Sequence, residues 1–419
     1  MVTDHQFYRS SDIPVEYKRN FIHLYFDMAW FGVLSGSAIS FLNVYATRLG
    51  ASGFQLGLIA AVPAVMSLVF SIPAGNWLQT RPVGKAVFWS AALARLGYLL
   101  WIPLPWLLGN QGQIWALILI TLAMGIPMCT LGIGFNTLFA EAVPSQMRAY
   151  VVGRRNMIQS LTFVVASIGT GYILDRLAFP GGYQLIFGIG FLSAAMSTLH
   201  LFFIRPPDVR TAVSEPDPVL PNSSERISSG NWKAILHLEI WKTPFRRVLL
   251  VFFAFHFAQY IAFPLFPLIT VNKLHFSNAV IGLATAFFYL MVMLGSTQLS
   301  RLANKMGHRG ITGIGVIGLG FYPIAIALAQ SAFHYYILSI MGGLIYAFVI
   351  GGYTNYLLER IPQSDRASHL AWYNLVLNAA ILLASLSGPL IANFTGLEVA
   401  LVSFGILRAL AGVAILLWG

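Results

Sequence analysis

Long apolar runs separated by short polar segments make up most of the chain. Six runs precede a polar stretch over residues 205–245 and six follow it. Each run approaches or exceeds the roughly 20 residues that a helix needs to cross the hydrocarbon core of a bilayer. The runs fall at about 21–46, 54–78, 86–109, 113–140, 156–178, 183–204, 247–271, 278–302, 311–330, 333–358, 369–393 and 397–418. The pattern predicts an all-α membrane protein with twelve transmembrane helices in two six-helix bundles.

The two groups of runs predict a domain organisation. Residues 1–20 form a polar N-terminal segment, and residues 21–204 form the first bundle. Residues 205–245 form a linker, and residues 246–419 form the second bundle. Apolar side chains recur at helical spacing over residues 232–242, which predicts an interfacial helix within the linker. An early start of the seventh transmembrane helix is the alternative.

The composition argues against a soluble domain. Hydrophobic residues make up 57% of the chain and charged residues only 9%, with a mean hydropathy of +0.73. The net charge is +11, but no basic patch with interleaved aromatic residues stands outside the apolar runs, so we expect no nucleic-acid binding. Cys129 is the only cysteine, which excludes an intrachain disulfide and a cysteine-based metal cluster. We expect no cofactor and no metal.

Lysine and arginine are unevenly distributed between the two sides of the predicted bundle. Arg95 and Arg408 lie inside predicted helices, and Arg48, Arg176 and Lys273 fall on one side, while all other basic residues fall on the opposite side. The positive-inside rule places that richer side, with both termini and the linker, in the cytoplasm. We expect a multi-pass protein of the cytoplasmic membrane, surrounded by lipid, and a monomer.

The two halves contain related sequences in the same order. Leu49-Gly-Ala-Ser52 with the following Gly-Leu pair matches Leu274-His-Phe-Ser277 with its own Gly-Leu pair. Glu141-Ala-Val-Pro144 followed by Arg148 matches Glu359-Arg-Ile-Pro362 followed by Arg366. Parallel six-helix repeats joined by a cytoplasmic linker are typical of secondary transporters, which bind substrate at mid-membrane between the halves. The repeat therefore predicts two pseudo-symmetric bundles.

Two loops add to this repeat. They read Gly75-Asn-Trp-Leu-Gln79-Thr-Arg81-Pro-Val-Gly84-Lys85 and Ser300-Arg-Leu-Ala-Asn304-Lys305-Met-Gly307-His-Arg309. With the repeat, they resemble the major facilitator superfamily, whose pattern at these loops is G-x-x-x-D-R-x-G-R-K; here an amide replaces the acid in both. The resemblance extends from about residue 20 to residue 419. It implies a transporter of a small molecule that works by alternating access, and it does not name the substrate.

Asp27 is the main candidate for coupling to an ion. A charged side chain inside the hydrocarbon region is unfavourable in free energy. An acidic residue about two helical turns into the first span is therefore a candidate functional residue. His23 lies four residues earlier and shares its face. Asp27 with His23 could bind a cation or carry a proton; the structural alternative is a carboxylate held by the helix dipole or an ion pair.

Other polar and aromatic residues are candidates for a substrate cavity. The resemblance implies that the first, fourth, seventh and tenth helices line one, and Asn374 and Asn378 share a face of the eleventh. The candidates are Trp30, Phe31, His256, Gln259, Tyr260, Phe263, Tyr353, Asn355, Asn374 and Asn378. Rings and amides with few fixed charges favour an apolar, amphipathic or neutral polar substrate over a phosphate, which would need a cluster of basic groups. Helix–helix packing is the alternative role for each of them.

Charged residues at the predicted cytoplasmic helix ends are candidates for a gate. Ion pairs there could hold the inner face shut and break when it opens. The gate candidates are Arg81, Lys85, Glu141, Arg148, Lys305, Arg309, Glu359 and Arg366. The alternative is that the arginines only set the topology.

The sequence is compatible with three classes of membrane protein. A transporter is the leading class, and we expect Arg95 and Arg408 to lie at its periphery, where they snorkel or pair. A lipid-handling or otherwise non-transporting protein on the same scaffold is the second class, and a sealed core would favour it. A membrane enzyme is disfavoured, because no nucleophile triad, metal-ligand spacing or phosphate-binding loop stands at a membrane face.

Overall fold

The structure, a computed structural model, describes residues 15–205, 238–362 and 365–419. The first bundle contains six long helices, all within residues 15–202. They are α1 (Val15–Leu34, continued by Ser35–Ile39 and Ser40–Arg48), α2 (Gly53–Gln79), α3 (Val83–Trp101), α4 (Asn110–Ala142), α5 (Arg148–Arg176) and α6 (Gly181–Phe202).

The second bundle repeats this arrangement over residues 245–418. Its helices are α7 (Phe245–Tyr260, continued by Leu265–Pro267 and Leu268–Lys273), α8 (Asn278–Ser296), α9 (Leu299–Ala327), α10 (Ala332–Arg360), α11 (Arg366–Thr395) and α12 (Leu397–Trp418). The predicted interfacial helix lies mostly outside the described residues; of it, Leu238–Lys242 forms a 3₁₀ turn. The side of the molecule where α1 begins and α12 ends is called the terminus side, and the opposite side is called the far side.

Eleven of the described helical segments are long and apolar enough to cross a membrane. The remaining long helix is α3, whose mean hydropathy is lowered by Lys85 and Arg95. It packs against α4 and α6 in the same way as α9 packs against α10 and α12 in the second bundle. We therefore count α3 as the sixth membrane-spanning helix of the first bundle. The prediction of an all-helical membrane protein with two six-helix bundles is confirmed.

The same helix pairs are in contact in both bundles. In the first bundle α1 packs on α5 and α6, α4 packs on α2 and α3, and α3 packs on α6. In the second bundle α7 packs on α11 and α12, α10 packs on α8 and α9, and α9 packs on α12. The repeat read from the sequence is therefore also a repeat of packing.

A matching turn opens the second helix of each bundle. Gly50 has φ of +89° and His275 has φ of +48°, so both residues take the left-handed backbone conformation that ends the preceding helix. Two residues later, the hydroxyl groups of Ser52 and Ser277 accept hydrogen bonds from the amides of Gln55 and Val280. These N-caps explain why the Leu-x-x-Ser sequence is repeated.

The helices α9 and α12 approach each other through glycine. A Cβ atom added to Gly320 would lie 2.6 Å from the carbonyl oxygen of Gly405, and one added to Gly405 would lie 2.5 Å from the carbonyl oxygen of Gly320. Small residues allow this approach, which gives van der Waals contact where lipid provides no hydrophobic driving force.

We expect Gly405→Ile to destabilise the second bundle by about 1–3 kcal/mol, because the side chain must push the two backbones apart. The measurement is the melting temperature of the purified protein in detergent. The control is Gly169→Val on α5, where an added Cβ meets nothing within 4 Å. Equal melting temperatures for both variants would contradict this account of the α9–α12 contact.

Candidate functional site

A central cavity of about 1050 Å³ lies between the two bundles. It is lined by α1 to α4 of the first bundle and by α7 to α12 of the second. The lining is mostly apolar and aromatic, with tyrosines at positions 98, 260, 289, 322, 335 and 346. A cavity of this size and chemistry can enclose a small organic molecule.

Several polar atoms at the cavity wall have no hydrogen-bond partner among the described residues. They are Oδ1 of Asn43, Nε1 of Trp101, Oγ1 of Thr121 and Oε1 of Gln259. Buried polar groups normally have a hydrogen-bond partner. Unpaired polar groups that face a cavity are therefore suited to bind a ligand. Three of them come from the first bundle and one from the second.

The cavity is closed on the far side by contacts between the bundles. A Cβ atom on Gly57 of α2 would lie 2.3 Å from the carbonyl oxygen of Ser385 on α11. On the other flank, the hydroxyl group of Ser167 on α5 donates to the carbonyl oxygen of Gly282 on α8, with an O–O distance of 3.0 Å. At these two places helices of opposite bundles pack directly against each other, which closes both flanks of the cavity on the far side.

A set of polar residues, here called the far-side latch, reinforces this closure. The carboxylate of Asp175 on α5 accepts hydrogen bonds from the backbone N–H of Asn278 (2.8 Å), its Nδ2 (3.0 Å) and the N–H of Ala279 (2.9 Å) at the start of α8. Arg48 donates to Oδ1 of Asn278 (3.0 Å) and to the carbonyl oxygen of Phe276 (3.0 Å). An anion at a helix N-terminus is stabilised by the free N–H groups and the helix dipole.

The latch was not predicted from the sequence. Its residues come from three separate places, namely the ends of α1 and α5 and the beginning of α8. Asp175 is the only acidic residue between Glu141 and the linker. This isolated position in the sequence was the one feature that could have marked it as a candidate.

The terminus side is open in this structure. The cavity lining extends to Asn136 on α4 and Asn374 on α11, and both residues are exposed. The inter-bundle hydrogen bonds of the described residues lie towards the far side instead. The structure is therefore accessible from the terminus side and closed on the far side.

Four of the ten predicted cavity residues line the cavity. They are Gln259, Tyr260, Phe263 and Asn374. Three of them lie on α7 at its interruption, where residues 261–264 leave the α-helix before Leu265. Pro264 has no N–H to donate, so the helix cannot continue unbroken through this point.

The prediction for His256 and Tyr353 requires correction. His256 is 3% exposed and lies in the core of the second bundle, with its Nε2 2.9 Å from the hydroxyl oxygen of Tyr373. Tyr353 packs edge-on against it, with ring centroids 5.6 Å apart. Because α7 is interrupted after Tyr260, His256 and Phe263 do not lie on one continuous helical face.

The remaining predicted cavity residues also lie outside the lining. The Nδ2 groups of Asn355 and Asn378 donate to carbonyl oxygens one turn earlier in their own helices, at Gly351 (2.9 Å) and Asn374 (2.7 Å). Such local bonds satisfy an amide without a ligand. Trp30 and Phe31 are half-buried on α1, and Phe31 packs against the core of the first bundle.

Asp27 lies inside the first bundle and not at the cavity wall. It is 4% exposed and accepts a hydrogen bond from the hydroxyl group of Ser197 on α6. Its Oδ2 is 3.7 Å from Nη2 of Arg155 on α5. The Arg155 guanidinium also lies over the rings of Phe135 and Phe139 on α4, at 4.6 Å and 5.2 Å. Asp27 thus connects three helices of one bundle.

The side chain of His23 contacts residues of the sixth helix and its end, and not Asp27. Its Nδ1 lies 3.0 Å from Nδ1 of His200, and its ring stacks on Phe203 with centroids 5.1 Å apart. The groups that contact Asp27 come instead from α5 and α6. Sequence spacing within α1 cannot identify partners on other helices.

The predicted gate residues do not form the expected Glu–Arg pairs in this open state. Arg148 donates to the carbonyl oxygen of Ala140 (2.8 Å), and Arg309 donates to that of Ile415 (3.0 Å), so both arginines bind carbonyl groups at helix ends. Glu359 lies 3.7 Å from Nε2 of His308. The other gate candidates are exposed on the terminus side: Arg81, Lys85, Glu141, Lys305 and Arg366.

Arg408 on α12 lines the cavity, although we expected it at the periphery. It is 2% exposed and is the one charged residue of the lining among the described residues. Its guanidinium donates to the carbonyl oxygens of Gln259 (2.7 Å), Ala258 (3.2 Å) and Leu319 (3.4 Å). Arg95 is 5% exposed and donates to Oγ1 of Thr198 at 2.7 Å and to the carbonyl oxygen of Ala194 at 3.1 Å, away from the cavity.

Two pseudo-symmetric bundles around a central cavity, open on one side only, define a membrane transport protein. A family model described as Major Facilitator Superfamily matches residues 25–271 and 248–419. The chain belongs to the major facilitator superfamily. It is a multi-pass membrane protein and a secondary transporter of this type.

Comparison with individual proteins gives more distant similarities. The cis,cis-muconate transport protein of Acinetobacter baylyi is 23% identical over 240 residues, which are 57% of this chain and 56% of that protein. The similarity therefore spans little more than half of that relative.

Solved structures cover nearly the whole chain and agree on the fold. A D-xylose–proton symporter superposes with a TM-score of 0.71 at 14% identity, covering 96% of this chain and 98% of that one. The nucleoside transporter NupG superposes with a TM-score of 0.66 at 11% identity, covering 97% and 99%.

Proposed function

We propose that the protein is a secondary active transporter that carries a small apolar, amphipathic or neutral polar molecule by alternating access. The observation that supports this most strongly is the central cavity, which has a closed far side and an open terminus side. Residues 21–204 and 246–419 move as two bodies, and the far-side latch breaks when the terminus side closes. Arg81, Lys85, Glu141, Arg148, Lys305, Arg309, Glu359 and Arg366 then approach one another as the opposing gate.

Coupling to protons through Asp27 forms part of the proposal. Asp27 is buried and is in contact with groups on α5 and α6, so a change in its charge alters the packing of three helices. Arg155 favours the ionised carboxylate, and loss of that charge on protonation weakens the Asp27–Arg155 contact. A proton taken up on one side of the membrane would then favour one state of the first bundle.

The orientation is proposed from charge. By the positive-inside rule, the basic residues of the terminus side support a cytoplasmic position for both termini. With this orientation in the cytoplasmic membrane, the structure corresponds to the inward-open state. The alternative of a non-transporting or lipid-handling protein predicted a sealed core, and a cavity of about 1050 Å³ supports the transporter instead.

The proposal is tested by reconstituting the purified protein into vesicles and measuring uptake with and without a pH gradient. The compounds should be small carboxylates, sugars and nucleosides, and should include cis,cis-muconate because of the partial similarity to its transport protein. We expect saturable uptake of at least one compound that exceeds uptake by empty vesicles and collapses with a protonophore. Uptake of none of these compounds above the empty-vesicle level would contradict the proposal.

A further inference from the structure

We propose that Arg408 binds the carboxylate group of the substrate, so that the transported compounds are small organic acids with an unsaturated or aromatic body. This inference rests on the proposed transport function and gives its substrate class. The structural basis is a buried cation at the cavity wall that has unused donors and, among the described residues, no acidic partner.

Arg408 is held in place by carbonyl groups that the helices leave unpaired. The carbonyl oxygens of Ala258 and Gln259 lie just before the interruption of α7, and both accept from Arg408. The carbonyl oxygen of Leu319 lies four residues before Pro323, which has no N–H to donate, and Arg408 supplies the third bond there. Three carbonyl groups on two helices therefore fix the direction of the guanidinium.

These bonds leave part of the guanidinium available. The group has five N–H donors, and three of them are used by the carbonyl oxygens of α7 and α9. A side chain that served only to cap these carbonyls would not need to line the cavity, yet Arg408 does. The remaining donors suit the oxygen atoms of a carboxylate, which binds arginine through more than one N–H.

The charge of Arg408 is not neutralised by the carbonyl groups. Among the described residues no carboxylate forms an ion pair with it, and Tyr322 and Tyr346, which also line the cavity, carry no charge that would balance it. A buried cation normally has a partner of opposite charge, because an isolated charge is strongly disfavoured away from water. An anion from the solution, bound in the cavity, would provide that partner.

The other residues of the cavity wall indicate the chemical nature of the rest of the ligand. Tyr260, Phe263, Phe266, Phe288 and Tyr289 supply ring surfaces from α7 and α8. Such surfaces favour a flat, unsaturated or aromatic group. Across the cavity, the unpaired atoms of Asn43 and Thr121 could bind a second polar group at the other end of the molecule.

The test compares matched pairs of ligands that differ only in charge. The probes are benzoate with benzamide, and cis,cis-muconate with its diamide, added at millimolar concentration to the purified full-length protein. Ligands that bind the folded state raise its melting temperature. We expect both carboxylates to raise it and both amides to leave it unchanged.

Variants then assign the effect to Arg408. We expect Arg408→Gln to weaken carboxylate binding about tenfold or more, because charge-assisted hydrogen bonds are lost. Arg408→Lys should retain the preference for the acid over the amide with reduced affinity. Arg95→Gln is the matched control, since Arg95 is also buried and carbonyl-bonded but lies away from the cavity, and it should bind carboxylates as the wild type does.

Three results would overturn the inference: equal responses to acid and amide in the wild type, no response to either acid, or undiminished carboxylate binding by Arg408→Gln. If Arg408→Gln does not fold, Arg408→Lys and the wild-type acid–amide comparison decide the question. Binding and transport can fail separately. Transport of a neutral compound that Arg408→Gln leaves intact refutes the inference alone, and carboxylate binding without transport refutes the proposed function alone.

Discussion

Asp27→Asn should abolish accumulation of substrate driven by a pH gradient, while substrate exchange at equal pH continues. Asparagine can still accept the hydrogen bond from Ser197, but it cannot take up a proton. A gradient of one pH unit corresponds to about 1.36 kcal/mol, which supports about tenfold accumulation for each proton carried. The variant should lose this accumulation completely. The measurement is uptake into vesicles of the compound found in the transport screen.

The matched control for this variant is Glu398→Gln. Glu398 is an exposed carboxylate on α12 that pairs with Lys273, away from the cavity. Its loss should leave gradient-driven uptake unchanged. Because Asp27→Asn leaves Arg155 without its anionic partner, the melting temperature of the variant must be measured alongside. Gradient-driven uptake at the wild-type level in a folded Asp27→Asn protein would remove Asp27 from the mechanism.

Asp175→Ala should shift the protein towards the state that is open on the far side. The variant removes three hydrogen bonds to a carboxylate at the N-terminus of α8, and none of these bonds can form when the bundles separate there. Asp175 is exposed, so solvent reduces the effect, and we expect a population shift of about tenfold. The far-side latch would lose its carboxylate and the hydrogen bonds that this group accepts from α8.

The single cysteine provides the measurement. Cys129 lines the cavity, so it can react with a membrane-impermeant thiol reagent only when the cavity is open to the side of addition. Reagent applied from the far side should label Asp175→Ala about tenfold faster than the wild type, in line with the population shift. Arg176→Gln is the control, because Arg176 is the next residue and lies over Tyr172 of its own helix. Identical labelling rates for wild type and Asp175→Ala would show that the latch does not set the equilibrium.

The fold could be predicted from sequence because its determinants are local. Apolar runs give the helices, and each positive-φ turn with its serine cap is contained within four residues, as at Gly50 and Ser52. The turn with His275 and Ser277 repeats this pattern, which is why the two halves could be aligned without a structure. Among the described long helices, α3 is the one that is not apolar enough along its length to stand out as a membrane span.

The site could be predicted only in part, because it depends on which face of each helix meets another helix. Gln259, Tyr260 and Asn374 were found because polar residues in an apolar helix require an explanation. Arg408 was assigned to the periphery because the family resemblance implies such a place for α12. Arg408 binds carbonyl oxygens at the interruption of α7 and one turn before Pro323 of α9. Its position therefore depends on three helices at once, and the sequence of any one helix does not predict it.

The central claim is that the two bundles open alternately on the terminus side and the far side, and distances between spin labels test it most directly. In a Cys129→Ser background, cysteines at the exposed positions Gln79 and Ala371 report the terminus side, and those at Phe54 and Asn393 report the far side. On introduction of Asp175→Ala, the account predicts that the first distance shortens while the second lengthens. Distances that change in the same direction, or a far-side pair that stays together under all conditions, would contradict alternating access.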